Sequence, residues 1–161
     1  MPIYLEPAVE EDIRRVYAYI FRDGPIGGGK PEVDLRRLTP GESLVLGGID
    51  ILPMRVYHGR LPVLAFKFGA YFAYVTDVSR IPGETWPHLY GLDLLILDAV
   101  RREPHETHFH LDAALEVVEK LKPARTLLTH LSHDYDHETT NAELPAGVEL
   151  AFDGQVVTVN A

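Results

Sequence analysis

Side chains that could bind a metal follow three apolar segments of the chain. His58 comes after the segment at residues 49–56, Asp77 directly follows the segment at residues 71–76, and His130 directly follows Thr-Leu-Leu-Thr. Side chains at the ends of neighbouring strands can converge on one edge of a sheet. Imidazole and carboxylate together form a ligand set for zinc, manganese or iron. The three positions together therefore favour a metal site.

Each of these positions also has a simpler interpretation. His58 could cap a strand, and Asp77 could cap a turn or a helix. Taken singly, the simpler interpretation is the more common one. Asp98, which follows the apolar segment at residues 92–97, has two interpretations of equal weight. It orients a residue that binds the metal, without binding the metal itself, or it satisfies backbone amides at the end of its strand.

The chain has eight histidines, more than a core of this size needs. Besides the ligand candidates, His108 lies in a polar stretch before an amphipathic segment. Surface or loop positions are expected for His105, His110 and His137. Hydrogen bonds within the loop after His130 are expected for His133, Asp134 and Asp136.

Alternating strand and helix patterns predict an α/β layer with a mixed sheet spanning residues 33–159. The predicted helices cover residues 7–21 and 111–121, and a glycine-rich linker loop covers residues 23–31. The predicted strands are residues 33–38, 43–46, 49–56, 63–68, 71–76, 92–97 and 126–129, with a closing hairpin formed by 148–152 and 156–159.

Composition excludes several functional classes. The chain has 161 residues, a net charge of −9 and no cysteine. The lack of cysteine rules out disulfides, thiolate zinc sites and iron–sulfur clusters. The acidic balance disfavours general binding to nucleic acid. Without a membrane-length apolar run or a signal-like N-terminus, we expect a cytoplasmic protein.

The order of these motifs resembles the C-terminal half of the metallo-β-lactamase superfamily. The resemblance runs from His58 through Thr-Asp77 and Leu-Asp98-Ala to THFHLDAAL, LTHLSHDYDH and ELPAGVELAFDG. Within that superfamily it is strongest to the phosphoribosyl 1,2-cyclic phosphate phosphodiesterase branch, whose relatives are the ribonuclease Z enzymes. It implies an α/β fold, the C-terminal half of a four-layer αββα sandwich, with a mixed sheet and flanking helices.

The resemblance also implies roles for individual residues in a metal-dependent phosphodiesterase. His58 and Asp77 would bind one divalent cation, zinc or manganese, and Asp77 and His130 would bind a second. His108 would donate a proton to the leaving oxygen, so the catalytic residues would be His108 and Asp77. Asp98 and His133 would support this ligand set from behind. The substrate would be a small phosphodiester.

The main metal-binding motif of the superfamily, His-x-His-x-Asp-His, does not occur in this sequence. The nearest match, at residues 108–112, lacks the last histidine and follows Asp77 in the chain. We therefore expect residues 1–161 to form one domain that lacks the motif-bearing half: a fragment of a longer enzyme, a trimmed chain or a natural remnant.

Two consequences follow for metal and partners. With two protein ligands per ion, we expect weak or partial metal occupancy. A sheet without its partner sheet would expose an apolar face, so we expect association with the missing half or with a second copy. The residues expected on that face are Val63, Ala65, Phe72, Tyr74, Leu95 and Leu97. There is no expected role for a membrane.

Two other functions remain open. One is a noncatalytic interaction or structural module that keeps the fold. The other is a mononuclear iron enzyme that uses His58, Asp77 and His130 as two histidines and one carboxylate.

Overall fold

A computed structural model describes residues 1–22 and 29–159. These residues form two compact units, Met1–Glu42 and the chain from Ser43 onward. Most of the predicted glycine-rich loop, residues 23–28, lies outside the described residues. The single domain expected over residues 1–161 stays a prediction. In the described part of the chain, no helix has the length and apolar character needed to cross a membrane.

The first unit pairs two short parallel strands around a helical connection. Strands β1 (Pro2–Leu5) and β2 (Asp34–Arg37) form a sheet of their own. The predicted mixed sheet therefore does not begin at residue 33. The helix predicted for residues 7–21 is two helices, α1 (Pro7–Val16) and α2 (Ala18–Phe21). They are separated by Tyr17, whose φ of −107° and ψ of 39° leave the helical region.

The second unit is built on a seven-stranded mixed sheet in sequence order, β3 to β9. β3 to β6 are antiparallel neighbours, and β6 to β9 are parallel neighbours. The strands are β3 Leu44–Leu46, β4 Ile49–His58, β5 Leu61–Phe68, β6 Phe72–Val75, β7 Leu94–Asp98, β8 Arg125–Thr129 and β9 Val148–Leu150.

Helices make the crossovers between the parallel strands. A 3-10 helix (Trp86–Leu89) lies between β6 and β7, α3 (Leu111–Leu121) connects β7 to β8, and α4 (His137–Glu143) connects β8 to β9. The predicted bounds of α3 are confirmed. Its buried residues recur at the spacing of one helix face, and the helix ends where Lys122 adopts a left-handed φ of 51°.

The closing hairpin predicted for residues 148–159 is wrong. β9 pairs in parallel with β8, and no strand follows it among the described residues. Val156 is 89% exposed. An apolar β-branched segment forms a strand only where a partner edge and a buried face are available to it.

The apolar face expected from the sequence mixes the two sides of the sheet. Register places Phe66 opposite Tyr74 and Lys67 opposite Ala73, so Tyr74 and Ala73 point to different faces. Tyr74 is 44% exposed. In contrast, Ala65, Leu95 and Leu97 are fully buried in the core that includes α3, and Val63 packs against that core. Of the six expected residues, Phe72 and Tyr74 lie on the other face, where Phe72 is half-buried.

Candidate metal and catalytic site

Strand direction gathers the predicted site residues at one edge of the large sheet. β4 and β6 are both antiparallel to β5, so they run in the same direction as each other and as β7 and β8. The carboxyl ends of these four strands therefore share an edge. His58 and Asp98 are the last residues of β4 and β7. Asp77 follows β6 by two residues, and His130 follows β8 directly.

Two of the site residues have left-handed backbones. The φ angles of Asp77 and His130 are 56° and 60°. A left-handed backbone at a residue other than glycine costs about 1–3 kcal/mol and persists only where its surroundings enforce it. Here the backbone of each residue is held by a hydrogen bond that a neighbouring residue makes. For Asp77, Val78 N donates to the Asp98 carboxylate (3.2 Å). For His130, Ala99 N donates to Thr129 O (3.0 Å).

Three ligand atoms meet at this edge. One atom each from His58, Asp77 and His108 lies within 4.8 Å of the other two. Nε2 of His58 and Nε2 of His108 are 3.0 Å apart. Atoms that bind one zinc ion at about 2.0–2.2 Å lie roughly 3–3.5 Å from each other. The donor set therefore fits a divalent cation, and so does the separation of the two histidine nitrogens.

Asp98 fixes the orientation of His108. The Asp98 carboxylate is fully buried, and its Oδ2 lies 3.0 Å from Nδ1 of His108. A proton on Nδ1 would make that nitrogen the donor to Asp98 and leave Nε2 facing His58. Oδ1 of Asp98 is buried without a hydrogen-bond partner in the described part of the chain.

The surroundings shift the pKa values of both groups. Burial raises the pKa of Asp98 to about 7. Burial lowers the pKa of His108, and the charges of His130 and His58 lower it further. The lowered pKa of His108 favours its neutral imidazole, because burial penalises the charged form.

His130 lies beside this group rather than within it. Its ring stacks on the ring of His108, with 4.7 Å between centroids and an interplanar angle of 29°. The structure therefore brings His58, Asp77 and His108 together, and both Asp98 and His130 contact His108. The metal and catalytic roles implied for these residues stay predictions.

The structure does not bring His133 to the site. Its side chain is 98% exposed and lies 3.7 Å from Asp134. Asp134 and Asp136 make local hydrogen bonds, as expected: Asp134 accepts from Ser132, and Asp136 caps α4. His137 lies on α4, with Nε2 3.1 Å from Leu150 O.

Sequence reasoning missed the loops that surround His108. The β4–β5 turn at Gly59 and Arg60, Arg80 and the loop at residues 105–107 line one groove together with His108. His105, expected at the surface, has its ring 5.1 Å from that of His108. A glycine directly after His58 was the one available signal, because Gly59 has a φ of 61° and a Cβ there would lie 3.0 Å from Thr107.

With the fold and the site described, the comparisons with known proteins identify the class. The chain belongs to the β-lactamase superfamily: residues 1–131 match the family described as beta-lactamase superfamily domain. This confirms the resemblance to the metallo-β-lactamase fold and the α/β class.

Two relatives match nearly the whole of this chain. The chain is 40% identical to a solved diphosphatase of the PhnP family, with a TM-score of 0.85. The match covers 96% of this chain and 56% of that one. The chain is 30% identical over 156 residues to an octanoyltransferase of Porphyromonas gingivalis (strain ATCC BAA-308 / W83), covering 96% of this chain and 31% of that protein. The chain thus spans about a third to a half of the length of these relatives.

More distant structures share the fold alone. The short form of human tRNase Z is 18% identical, with a TM-score of 0.68 over 99% of this chain and 68% of that one. Zinc-bound PqqB from Methylobacterium extorquens is 15% identical, with a TM-score of 0.67 over 96% of this chain and 61% of that one. One of these fold neighbours is therefore zinc-bound, and this chain has a possible His-Asp-His metal site.

Proposed function

We propose that this chain carries phosphodiester-cleaving residues of a metal-dependent hydrolase. The observation that carries the proposal is the cluster of His58, Asp77 and His108, with the buried Asp98 carboxylate behind His108. The similarity to a diphosphatase supports chemistry at a phosphoryl group. The substrate in this proposal is a small phosphodiester, such as a cyclic phosphate, and not nucleic acid, since the chain carries a charge of −9.

In this proposal His58, Asp77 and His130 hold two divalent cations, zinc or manganese, with Asp77 shared between them. When bound, such ions neutralise the charge of the phosphodiester and lower the pKa of a coordinated water. The left-handed backbones of Asp77 and His130 support this assignment, because strained residues cluster at functional sites.

His108 has a different role. Its Nε2 faces the cluster, so it can deliver a proton to the oxygen that leaves phosphorus. Asp98, which also accepts a hydrogen bond from Val78 N, acts on the reaction through His108. It keeps the ring from rotating, and it stabilises the imidazolium that exists before the proton is transferred.

The ligand set in this chain is small for two ions. Each ion would have two of the three protein ligands, and a zinc site uses three or four. We therefore propose weak metal binding by this chain alone. Stronger binding would need a partner, either a segment that bears His-x-His-x-Asp-His or a second copy of the chain.

One observation favours a second candidate. The atoms that lie within 4.8 Å of one another come from two histidines and one carboxylate, the ligand set of mononuclear iron enzymes. In that case His108, and not His130, would be the third ligand. Measurements of iron content and oxygen consumption would identify this alternative. A chain that binds no metal would instead be the noncatalytic interaction or structural module.

Hydrolysis of bis(4-nitrophenyl) phosphate with Mn²⁺ or Zn²⁺ tests the proposal. The chain is assayed alone and with an added segment that bears His-x-His-x-Asp-His. His108→Ala should lower kcat by about 10²- to 10⁴-fold, as expected for loss of a general acid. His137→Ala is the matched control, because His137 hydrogen-bonds within α4 and to β9, and it should stay close to the parent rate. Full activity in His108→Ala would contradict the proposed proton donor.

A further inference from the structure

Two histidines contact His108 in different ways. The ring of His58 stands at 76° to that of His108, and their Nε2 atoms are 3.0 Å apart. The ring of His130 stacks on that of His108 at 29°, with 4.7 Å between the centroids. The lone pair of an imidazole nitrogen lies in the plane of its ring, so stacked rings direct their lone pairs side by side and not at one point. His108, and not His130, therefore joins the group formed with His58 and Asp77.

The hydrogen bond behind His108 is of the kind that metal-binding histidines make. Nδ1 of His108 lies 3.0 Å from Oδ2 of Asp98. A histidine that binds a metal almost always donates its other ring N–H to a carboxylate, a backbone carbonyl or water. A neutral ring with its proton on Nδ1 keeps a lone pair on Nε2, the nitrogen that faces His58. Among the described residues, the ring of His130 makes no hydrogen bond to a carboxylate. Of the two histidines, His108 therefore has the support of a metal ligand.

The buried charge of Asp98 also favours a cation on His108. The Asp98 carboxylate is fully buried, and His108 is its ion-pair partner. No lysine or arginine in the described part of the chain forms an ion pair with it. Burial of a carboxylate is costly unless its charge is paired or binds a metal. A cation bound to Nε2 of His108 would compensate this charge through the ring, and the exposed Asp77 would bring a second carboxylate to the same cation.

The number of ligands favours one ion over two in this chain alone. A zinc site uses three or four protein ligands. Two ions that share Asp77 would have two ligands each, because His58 would complete one pair and His130 the other. One ion bound by His58, Asp77 and His108 would have three. The ligand atoms of these three residues already lie within 4.8 Å of one another. Without further ligands, the single site is therefore the better one.

We propose that this chain alone binds one divalent cation through His58, Asp77 and His108, and that His108 leaves the cation when a segment bearing His-x-His-x-Asp-His supplies further ligands. The inference rests on the proposed function and names a regulation of the same site. A nitrogen that binds a cation cannot carry a proton, so His108 cannot act as the proton donor in the chain alone. After release, Nε2 of His108 takes a proton from solvent and can pass it to the leaving oxygen. The single-ion form is therefore a resting form.

Metal binding by the chain alone tests which histidine is the third ligand. Calorimetric titration with Zn²⁺ compares the parent with His108→Ala and His130→Asn, a replacement that also tolerates the left-handed backbone at this position. The parent should bind one ion per chain. His108→Ala should weaken binding at least about tenfold, since loss even of a group that supports a metal ligand costs about 10- to 100-fold. His130→Asn should match the parent. Equal affinity in His108→Ala and the parent, or an equal loss in the two variants, would overturn the proposal.

Two further measurements guard against an effect on folding. With Co²⁺ in place of Zn²⁺, the visible absorption of the bound ion reports its ligands directly. It should change in His108→Ala and stay as in the parent in His130→Asn. Asp98→Asn keeps the shape of the side chain behind His108 but removes its charge, so it should weaken Zn²⁺ binding by about 10-fold. Thermal melting in EDTA shows whether each variant folds. An unchanged Co²⁺ spectrum in a folded His108→Ala variant would contradict ligation by His108.

Addition of the motif-bearing segment tests the release of His108. In that complex the pattern should reverse: His108→Ala should bind Zn²⁺ as the parent does, and His130→Asn should lose affinity for one of two ions. Weaker Zn²⁺ binding by His108→Ala in the complex as well would contradict release.

The same measurements separate this proposal from the proposed function. The binding pattern expected for the chain alone, without hydrolysis of bis(4-nitrophenyl) phosphate by the complex, would refute the proposed function and retain the single-ion site. Hydrolysis by the complex, with equal Zn²⁺ affinity in the parent and His108→Ala chains alone, would refute the single-ion site and retain the proposed function.

Discussion

The centre of the large sheet and its carboxyl edge differ in what stabilises them. At the centre, Ala65, Leu95 and Leu97 are fully buried among apolar neighbours. At the edge, Asp77 has a left-handed backbone, and Asp98 keeps a buried oxygen without a hydrogen-bond partner in the described part of the chain. Apolar burial stabilises the centre. The edge has a strained backbone and a buried polar atom without a partner, both at residues that could do chemistry. Substitutions in the two regions should therefore have opposite effects on stability.

The largest effect on stability is expected at the centre. Leu97→Ala should lower the free energy of unfolding by about 2–5 kcal/mol, because it leaves a cavity in a fully buried site. Leu61→Ala is the control, since Leu61 is 59% exposed and should change the free energy by less than about 0.5 kcal/mol. Urea denaturation measures both. Similar losses in the two variants would show that the core is not where the burial pattern places it.

A smaller loss is expected where the two loops touch. Gly59→Ala combines a left-handed φ of 61° with a contact of 3.0 Å to the Thr107 methyl group. The backbone alone should cost about 1–2 kcal/mol, and the contact should add to it. Thr107→Ser removes that methyl group, so in its background Gly59→Ala should cost less. Denaturation of the two single variants and the double variant gives the interaction free energy between the two substitutions. Strict additivity would contradict the close contact between the loops.

The smallest effect, and the one of opposite sign, is expected at Asp77. Asp77→Gly should raise the stability of the metal-free chain by up to about 1 kcal/mol, since glycine adopts a left-handed backbone without strain. Ser79→Gly is the control, because Ser79 does not have a positive φ and its hydroxyl accepts from Gly59 N, so it should lose stability. Thermal melting in EDTA measures both. A fall in melting temperature for Asp77→Gly would contradict the claim that the edge is strained.

Sequence patterns predicted the parts of the fold that periodicity determines. The apolar spacing of α3 gave correct bounds, and the buried strands β7 and β8 were located to within two residues. In contrast, α4 has the sequence HETTNAE, which contains no apolar stripe. It is stabilised by its cap, where Asp136 accepts from Thr139 N at 2.8 Å. A short polar helix leaves no periodic signal, so it was missed.

The same limit applies to the site. A polar residue directly after an apolar strand can be recognised from the neighbouring sequence. This pattern predicted that His58, Asp77 and His130 share one edge of the sheet. Which loops meet across that edge depends on tertiary packing. The contact between Gly59 and Thr107 brings together residues almost fifty positions apart, and no sequence period encodes it. His105 and the two groove arginines were missed for that reason.

Binding of Zn²⁺ tests the central claim, that the carboxyl edge is a metal site. Calorimetric titration compares the parent chain with Asp77→Ala and His137→Ala. Loss of the Asp77 ligand should weaken Zn²⁺ binding at least about tenfold, since loss even of a group that supports a metal ligand costs 10- to 100-fold. His137→Ala should match the parent, because its ring hydrogen-bonds Asn141 and the backbone of β9. Equal affinity in Asp77→Ala and the parent, or an equal loss in His137→Ala, would contradict the account.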